Sequence, residues 1–169
     1  MINPYNLDHI LEGWGEEGLD PVTLRELWNK ATEPLFDVLV VDDEPTFTRL
    51  VKYNLEADGH YHVFCENDAR KALSDCLDLL PDVVLLDLRM PQLDGEEVYR
   101  QIRENPALNW LPVVKFSAEL PGTSRFCKNP ILGEDGHLML AKPASLDEIN
   151  QAIRMEIQNA LEDLILANE

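Results

Sequence analysis

Four short apolar runs in this sequence end in side chains able to do chemistry. Val38–Val41 ends in Asp42-Asp43, Val83–Leu86 in Asp87, Val113–Phe116 in Ser117, and Leu138–Ala141 in Lys142. Three carboxylates, one hydroxyl and one ammonium are the result. In open α/β sheets, ligands sit beyond the carboxyl ends of the strands, so these groups converge on one rim if the runs are parallel strands. Close carboxylates repel and raise one another's pKa values, and a divalent cation relieves this. An all-oxygen site with few protein ligands and several waters suits Mg²⁺. A carboxylate oxygen left over can attack a phosphoryl group and give an aspartyl phosphate. The metal would neutralise charge on the transferred oxygens, and Lys142 and the Ser117 hydroxyl would hold two further oxygens. Taken singly, each residue has an ordinary explanation. An Asp after a strand is usually a helix cap or turn residue, and Asp94-Gly95 alone is a turn. Five such groups at four strand ends argue for a site.

The elements that must position them follow from the spacing. Pro45 is placed as a first helical residue, and Phe47, Leu50, Val51 and Leu55 recur at helical spacing up to Gly59. His62–Cys65 reads as a short strand. Asn67 or Asp68 caps a second helix whose stripe is Ala69, Ala72, Leu73, Cys76, Leu77 and Leu80, ended by Pro81. Asp94-Gly95 opens a third helix with Val98 and Ile102 on one face. A last helix starts after Ser145, with Asp147 and Glu148 complementing its dipole. This order predicts an α/β fold, a doubly wound five-stranded parallel sheet with helices on both faces. Continuous apolar runs fit strands buried on both sides.

Composition narrows the function. The 169 residues include 14 Lys and Arg against 32 Asp and Glu, a net charge of -18. Such a surface repels phosphate backbones and anionic headgroups, so neither nucleic acid nor membrane is an expected partner of this chain. Cys65, Cys76 and Cys127 stand singly and read as reduced thiols. No stretch has signal-peptide form or the apolar length of a membrane span, which reads as a cytoplasmic protein.

Val40-Val41-Asp42-Asp43-Glu44-Pro45, Leu85-Leu86-Asp87-Leu88-Arg89-Met90-Pro91 with Asp94-Gly95, Phe116-Ser117-Ala118 and Ala141-Lys142-Pro143 together resemble the receiver domain of bacterial two-component response regulators. The likeness runs from about Phe36 to Gln158. It implies a flavodoxin-like fold with Asp87 as phosphoacceptor. It implies Asp42 and Asp43 as Mg²⁺ ligands, joined by Asp87 and the Arg89 carbonyl. Ser117 would be the switch hydroxyl, Lys142 the phosphate-binding lysine, and the Lys142-Pro143 bond cis. The implied partners are a histidine kinase or histidine phosphotransfer protein and an unnamed downstream protein. The chain would not be an enzyme beyond Mg²⁺-dependent self-phosphotransfer and autodephosphorylation.

Two positions depart from the family pattern. Met139 stands where a Tyr or Phe is usual, and brings no aromatic ring to report Ser117. Between Leu120 and Gly136, prolines and glycines argue against a regular long helix, leaving an atypical fourth helix region in which Phe126 is either a partner anchor or a core residue. Arg89 and Glu119 either pair across the pocket mouth or stay solvated.

Residues 1–34 read as an N-terminal helical extension, 35–158 as the receiver and 159–169 as a C-terminal helix extension. Leu7, Ile10, Leu11, Trp14, Leu24, Leu27 and Trp28 fit two short helices that dock on the receiver or meet a partner. Ile157, Ala160, Leu161, Leu164 and Ile165 extend the last helix, as a homodimer seam or a linker stub. Met139 and the irregular segment favour an alternative, a phosphorylation-independent adaptor; the intact acid pocket favours phosphotransfer. An Mg²⁺-dependent phosphohydrolase is disfavoured because Arg89, not an acid, lies two residues after Asp87.

Overall fold

The computed structural model describes residues 35–166 apart from 58, 119–129 and 134–135, and for 161–166 the backbone alone. In chain order the elements are β1 (Phe36–Val41), α1 (Pro45–Ala57), β2 (Tyr61–Glu66), a 3-10 turn (Ala69–Lys71), α2 (Ala72–Leu79), β3 (Val83–Asp87), α3 (Gly95–Glu104), β4 (Val113–Ser117), β5 (Ile131–Leu132), β6 (Leu138–Ala141) and α4 (Leu146–Leu166). The sheet order is β2-β1-β3-β4-β6-β5. Pairing is parallel from β2 through β6, and only β5 runs antiparallel. The five-stranded parallel sheet expected from the apolar runs is therefore present.

Alternate residues of a strand point to opposite faces, and each face here has its own core. Val38, Val40, Leu85, Phe116 and Leu140 pack with Val51 and Leu55 of α1 and Ile149 and Ile153 of α4. Leu39, Val41, Val84, Leu86 and Val113 pack with Ala72 and Cys76 of α2 and Val98 and Ile102 of α3. Burial on both faces is why these strands read as unbroken apolar runs. Among the described residues no helix is long and apolar enough to cross a membrane.

The structure adds or adjusts several features. The stretch before the last strand contains β5, an antiparallel neighbour of β6. The Gly133 N–H donates to the His137 carbonyl at 2.8 Å, and Gly136 turns the chain back with φ +82°. Proline and glycine here mark a tight return, so described residues 130–133 and 136 are not helical. The rest of the proposed irregular segment, with Glu119, Phe126 and Cys127, lies outside the described residues. So do residues 1–34 with their two expected helices.

In α1 the inward row is Thr48, Val51 and Leu55, while Leu50 is 57% exposed. Thr48 buries its hydroxyl by donating to the Pro45 carbonyl. Asp68 accepts from the Arg70 N–H and caps the 3-10 turn. Leu80 is the left-handed cap of α2 rather than part of its stripe, and Leu77 is exposed. Ser145 and Glu148 close the start of α4 reciprocally. The Ser145 N–H donates to Glu148 Oε2 at 2.7 Å, and the Glu148 N–H donates to Ser145 Oγ at 3.3 Å. This is a capping box.

Gly95 sets how closely α3 approaches β3. A Cβ there would lie 2.0 Å from the Asp87 carbonyl oxygen and 2.7 Å from Leu88 Cα. Both are backbone atoms, so no rotamer change relieves the clash. We predict that Gly95→Ala lowers unfolding free energy by about 1–3 kcal/mol, the usual cost of overpacking, read as a fall in the urea midpoint at unchanged slope.

Candidate functional site

Asp42 leaves β1 with its backbone pinned from both sides. Its N–H donates to the Glu66 carbonyl at 3.1 Å, and its own carbonyl accepts from Asn67 Nδ2 at 2.6 Å. Its carboxylate accepts the Glu44 N–H at 2.9 Å, an Asx-type turn that leads into α1. Asp42 is thereby held inward at 2% exposure, while Asp43 turns out to solvent. Asp87 ends β3, the central buried strand, and is 5% exposed. One carboxylate oxygen from each of Asp42, Asp43 and Asp87 lies within 4.8 Å of the others.

Lys142 closes the cluster. Its Nζ is 2.5 Å from Asp42 Oδ2 and 3.0 Å from Asp87 Oδ1. The ammonium also lies over the rings of Phe47 and Phe116, 4.6 and 5.3 Å from their centroids. Those rings face each other at 5.3 Å. An aromatic floor and two carboxylates thus fix the lysine head, since a ring face attracts a cation. The Lys142-Pro143 bond is cis, as the resemblance implied.

Ser117 ends β4 and is buried. Its carbonyl accepts the Lys142 N–H at 2.8 Å, so it anchors the lysine's backbone. By strand alternation its side chain leaves the face opposite Phe116. Arg89 contributes through its main chain, whose N–H is bonded to the Asp87 carboxylate. The Arg89 guanidinium lies out in solvent, 3.5 Å from Asp94 Oδ2. Its proposed partner Glu119 lies outside the described residues. Met139 is half-buried and registers beside Lys115 of β4.

Burial pushes the Asp87 carboxyl above its ordinary pKa. The Lys142 hydrogen bond and charge oppose this, the Asp42 charge adds to it, and the Arg89 N–H lowers it. Burial prevails, so the ionised Asp87 carboxylate is held at a cost in the metal-free protein. The donor set fits a hard divalent cation: three carboxylate oxygens and no sulfur or imidazole.

Four contributors escaped the sequence reading. Phe47 reads as part of a helical stripe and Asn67 as a candidate helix cap, and their places under Lys142 and behind Asp42 leave no sequence signal. Gly95 was seen as a helix start, not as a contact. Lys115 did carry a signal, a charge inside a buried run, where lysine is rarely found unpaired.

The response regulator receiver domain family matches residues 38–154. Among curated relatives, the Bacillus subtilis alkaline phosphatase synthesis transcriptional regulatory protein PhoP is 34% identical over 119 residues, 69% of this chain and 46% of its own length. The Mycobacterium tuberculosis transcriptional regulatory protein TrcR is 33% identical over 117 residues, 69% of this chain and 43% of its own. The chain therefore spans less than half the length of these relatives. A response regulator receiver domain protein from Clostridium thermocellum has a similar structure, with TM-score 0.63 and 27% identity over 78% of this chain and 99% of that one. The receiver domain of a Pseudomonas aeruginosa PAO1 sensor histidine kinase, described with a magnesium ion coordinated in its active site cleft, gives TM-score 0.61 and 25% identity over 73% and 98%.

The raised Asp87 pKa has a testable sign. The folded chain binds this proton more tightly than the unfolded chain, so stability falls as pH rises from about 4 through the folded pKa. In metal-free buffer Asp87→Asn should melt higher than the wild type at pH 7. The difference should shrink as pH is lowered through the folded pKa and close near pH 4. A constant difference from pH 4 to 7 would show that Asp87 burial carries no charge penalty.

Proposed function

The chain belongs to the response regulator receiver domain family, and we propose that it accepts a phosphoryl group on Asp87 from a phosphohistidine donor and switches a protein-binding surface in response. The observation that carries this reading is the close set of Asp42, Asp43 and Asp87 with Lys142 touching two of them. The donor would be a histidine kinase or a histidine phosphotransfer protein, and the reader a downstream protein. The net charge of -18 argues against nucleic acid as a direct partner of this chain. Residues 35–158 form the receiver in this reading, and residues 159–169 serve as a dimer seam or a linker.

An Asp87 carboxylate oxygen attacks phosphorus while the bond from phosphorus to the donor nitrogen breaks, and the imidazole leaves with the electron pair. Asp42 and Asp43, with Asp87 and the Arg89 carbonyl, would hold Mg²⁺, whose charge offsets that of the phosphoryl oxygens. The magnesium described in the Pseudomonas aeruginosa receiver supports this assignment. Lys142, poised between Asp42 and Asp87, exchanges a carboxylate contact for a phosphoryl oxygen, a charge-assisted bond of the strong kind. The Ser117 hydroxyl meets another oxygen from the end of β4. Water later cleaves the acyl phosphate and restores Asp87.

Met139, in place of a ring, favours the alternative of an adaptor that signals without phosphate. Intact mass decides between them. Incubation with Mg²⁺ and acetyl phosphate should add one phosphoryl group to the wild type and none to Asp87→Asn; an unlabelled wild type would favour the adaptor. Lys142→Ala should label about tenfold more slowly, roughly 1.4 kcal/mol in the barrier, with a melting temperature lowered in metal-free buffer because Asp42 and Asp87 lose their shared counter-charge. A large fall in melting temperature with normal labelling would instead make Lys142 a structural ion pair.

A further inference from the structure

β1 and β2 run in register up to Val41 and Glu66, and the pairing continues one step further. The Asp42 N–H donates to the Glu66 carbonyl at 3.1 Å. At the next position a side chain takes over from the ladder: Asn67 Nδ2 donates to the Asp42 carbonyl at 2.6 Å. The same Nδ2 donates to Thr48 Oγ1 at 3.1 Å. The Thr48 hydroxyl has one proton, given to the Pro45 carbonyl at 3.3 Å. It must therefore accept from Asn67, and this fixes which way the amide is turned. Both Nδ2 protons are thereby placed.

Asn67 is itself held. Glu66 Oε1 accepts the Asn67 N–H at 2.8 Å and the Asp68 N–H at 2.7 Å. One amide on a braced loop thus ties the end of β1 to the first turn of α1, where Thr48 is wholly buried. The reaction described above makes no use of Asn67.

The carbonyl that Asn67 holds belongs to the peptide between Asp42 and Asp43. A peptide is planar, so fixing its oxygen fixes the direction in which the chain leaves toward Asp43. Neighbouring residues of an extended strand point to opposite sides. Here an oxygen from each of Asp42, Asp43 and Asp87 nevertheless lies within 4.8 Å of the others, and the chain bends at Asp43 to bring this about. Asp42 is buried and Asp43 exposed. The outer acid therefore depends on the peptide plane for its place beside the inner one.

We propose that Asn67 is a positioning residue for the cation site, acting through the Asp42–Asp43 peptide to favour Mg²⁺ over Ca²⁺. The proposal rests on Asp42 and Asp43 holding the cation. Mg²⁺ demands near-ideal octahedral geometry, whereas the larger Ca²⁺ accepts flexible and varied coordination. Two acids on a fixed peptide suit the smaller ion. The same acids on a loosened peptide keep their charge and still suit the larger one. Asn67 contributes geometry to the site, not charge.

Titrations of metal-free protein with MgCl₂ and, separately, CaCl₂ test this, followed by nuclear magnetic resonance of the backbone amides. Asn67→Ala should weaken Mg²⁺ about tenfold, the lower end of what losing a ligand-orienting contact costs. Ca²⁺ should weaken less, so the ratio of Mg²⁺ to Ca²⁺ affinity falls. Asn67→Asp, close in size but without the donors, should lower the same ratio even though its added charge attracts both ions. Ile153→Val, a core truncation on α4, should leave both affinities as in the wild type, which separates positioning from a general loss of stability. If the wild type binds and the Asn67 variants keep its ratio, the positioning role is wrong and the acid site stands. If the wild type binds neither ion, both are wrong.

Discussion

A single ammonium between two buried carboxylates is the contact around which the rest of the receiver is arranged. Asp42 and Asp87 are almost wholly withdrawn from water, and like charges at about 4 Å repel by roughly 4 kcal/mol at an effective dielectric near 20. Lys142 offsets this by touching both, but the Asp87 carboxyl is still pushed above its ordinary pKa. Burial thus outweighs the pull of the lysine on the Asp87 carboxylate. A site in that condition gains from any cation that enters and from any chemistry that removes a carboxylate charge.

The sheet order makes such a contact attainable. With β3 between β1 and β4, the strand that ends in Asp87 is flanked by the strand of Asp42 and Asp43 on one side and the strand of Ser117 on the other. Main-chain hydrogen bonds continue past the strand ends: Leu88 N–H to the Phe116 carbonyl, and Lys142 N–H to the Ser117 carbonyl. The loops that carry the reactive groups are thus stitched together by the same kind of bond that holds the sheet. Asn67 and the Glu44 N–H do the equivalent for Asp42.

Legibility in the sequence followed physical range. The parallel strands were plain because burial on both faces leaves unbroken apolar runs, and the candidate site residues stood out because each follows such a run. Pro45 and Ser145 marked helix starts through local backbone chemistry. Contacts between distant segments left no comparable trace. Nothing in the sequence says that Phe47 lies beneath Lys142, or that Gly95 is a glycine because Asp87 is in the way. The exposed Leu50, Leu77 and Leu80 show the converse error: an apolar residue at helical spacing was read as buried, although its neighbours Thr48 and Cys76 hold the inward positions. The two-residue strand β5 was too short to read among prolines and glycines.

The capping box at Ser145 has a mechanical consequence. It fastens the base of α4 three residues beyond Lys142, beside the rim that carries Asp42 and Asp87. From that base the helix runs unbroken for 21 residues, about 31 Å at the α-helical rise. A stiff rod of that length amplifies small rotations: a tilt of about 5° at the base sweeps the far end through roughly 2.7 Å, half an α-helical pitch. Whatever is joined to the distal turns would feel a sub-ångström event at the lysine as a lever stroke, with gain set by how many residues separate the joint from the fulcrum.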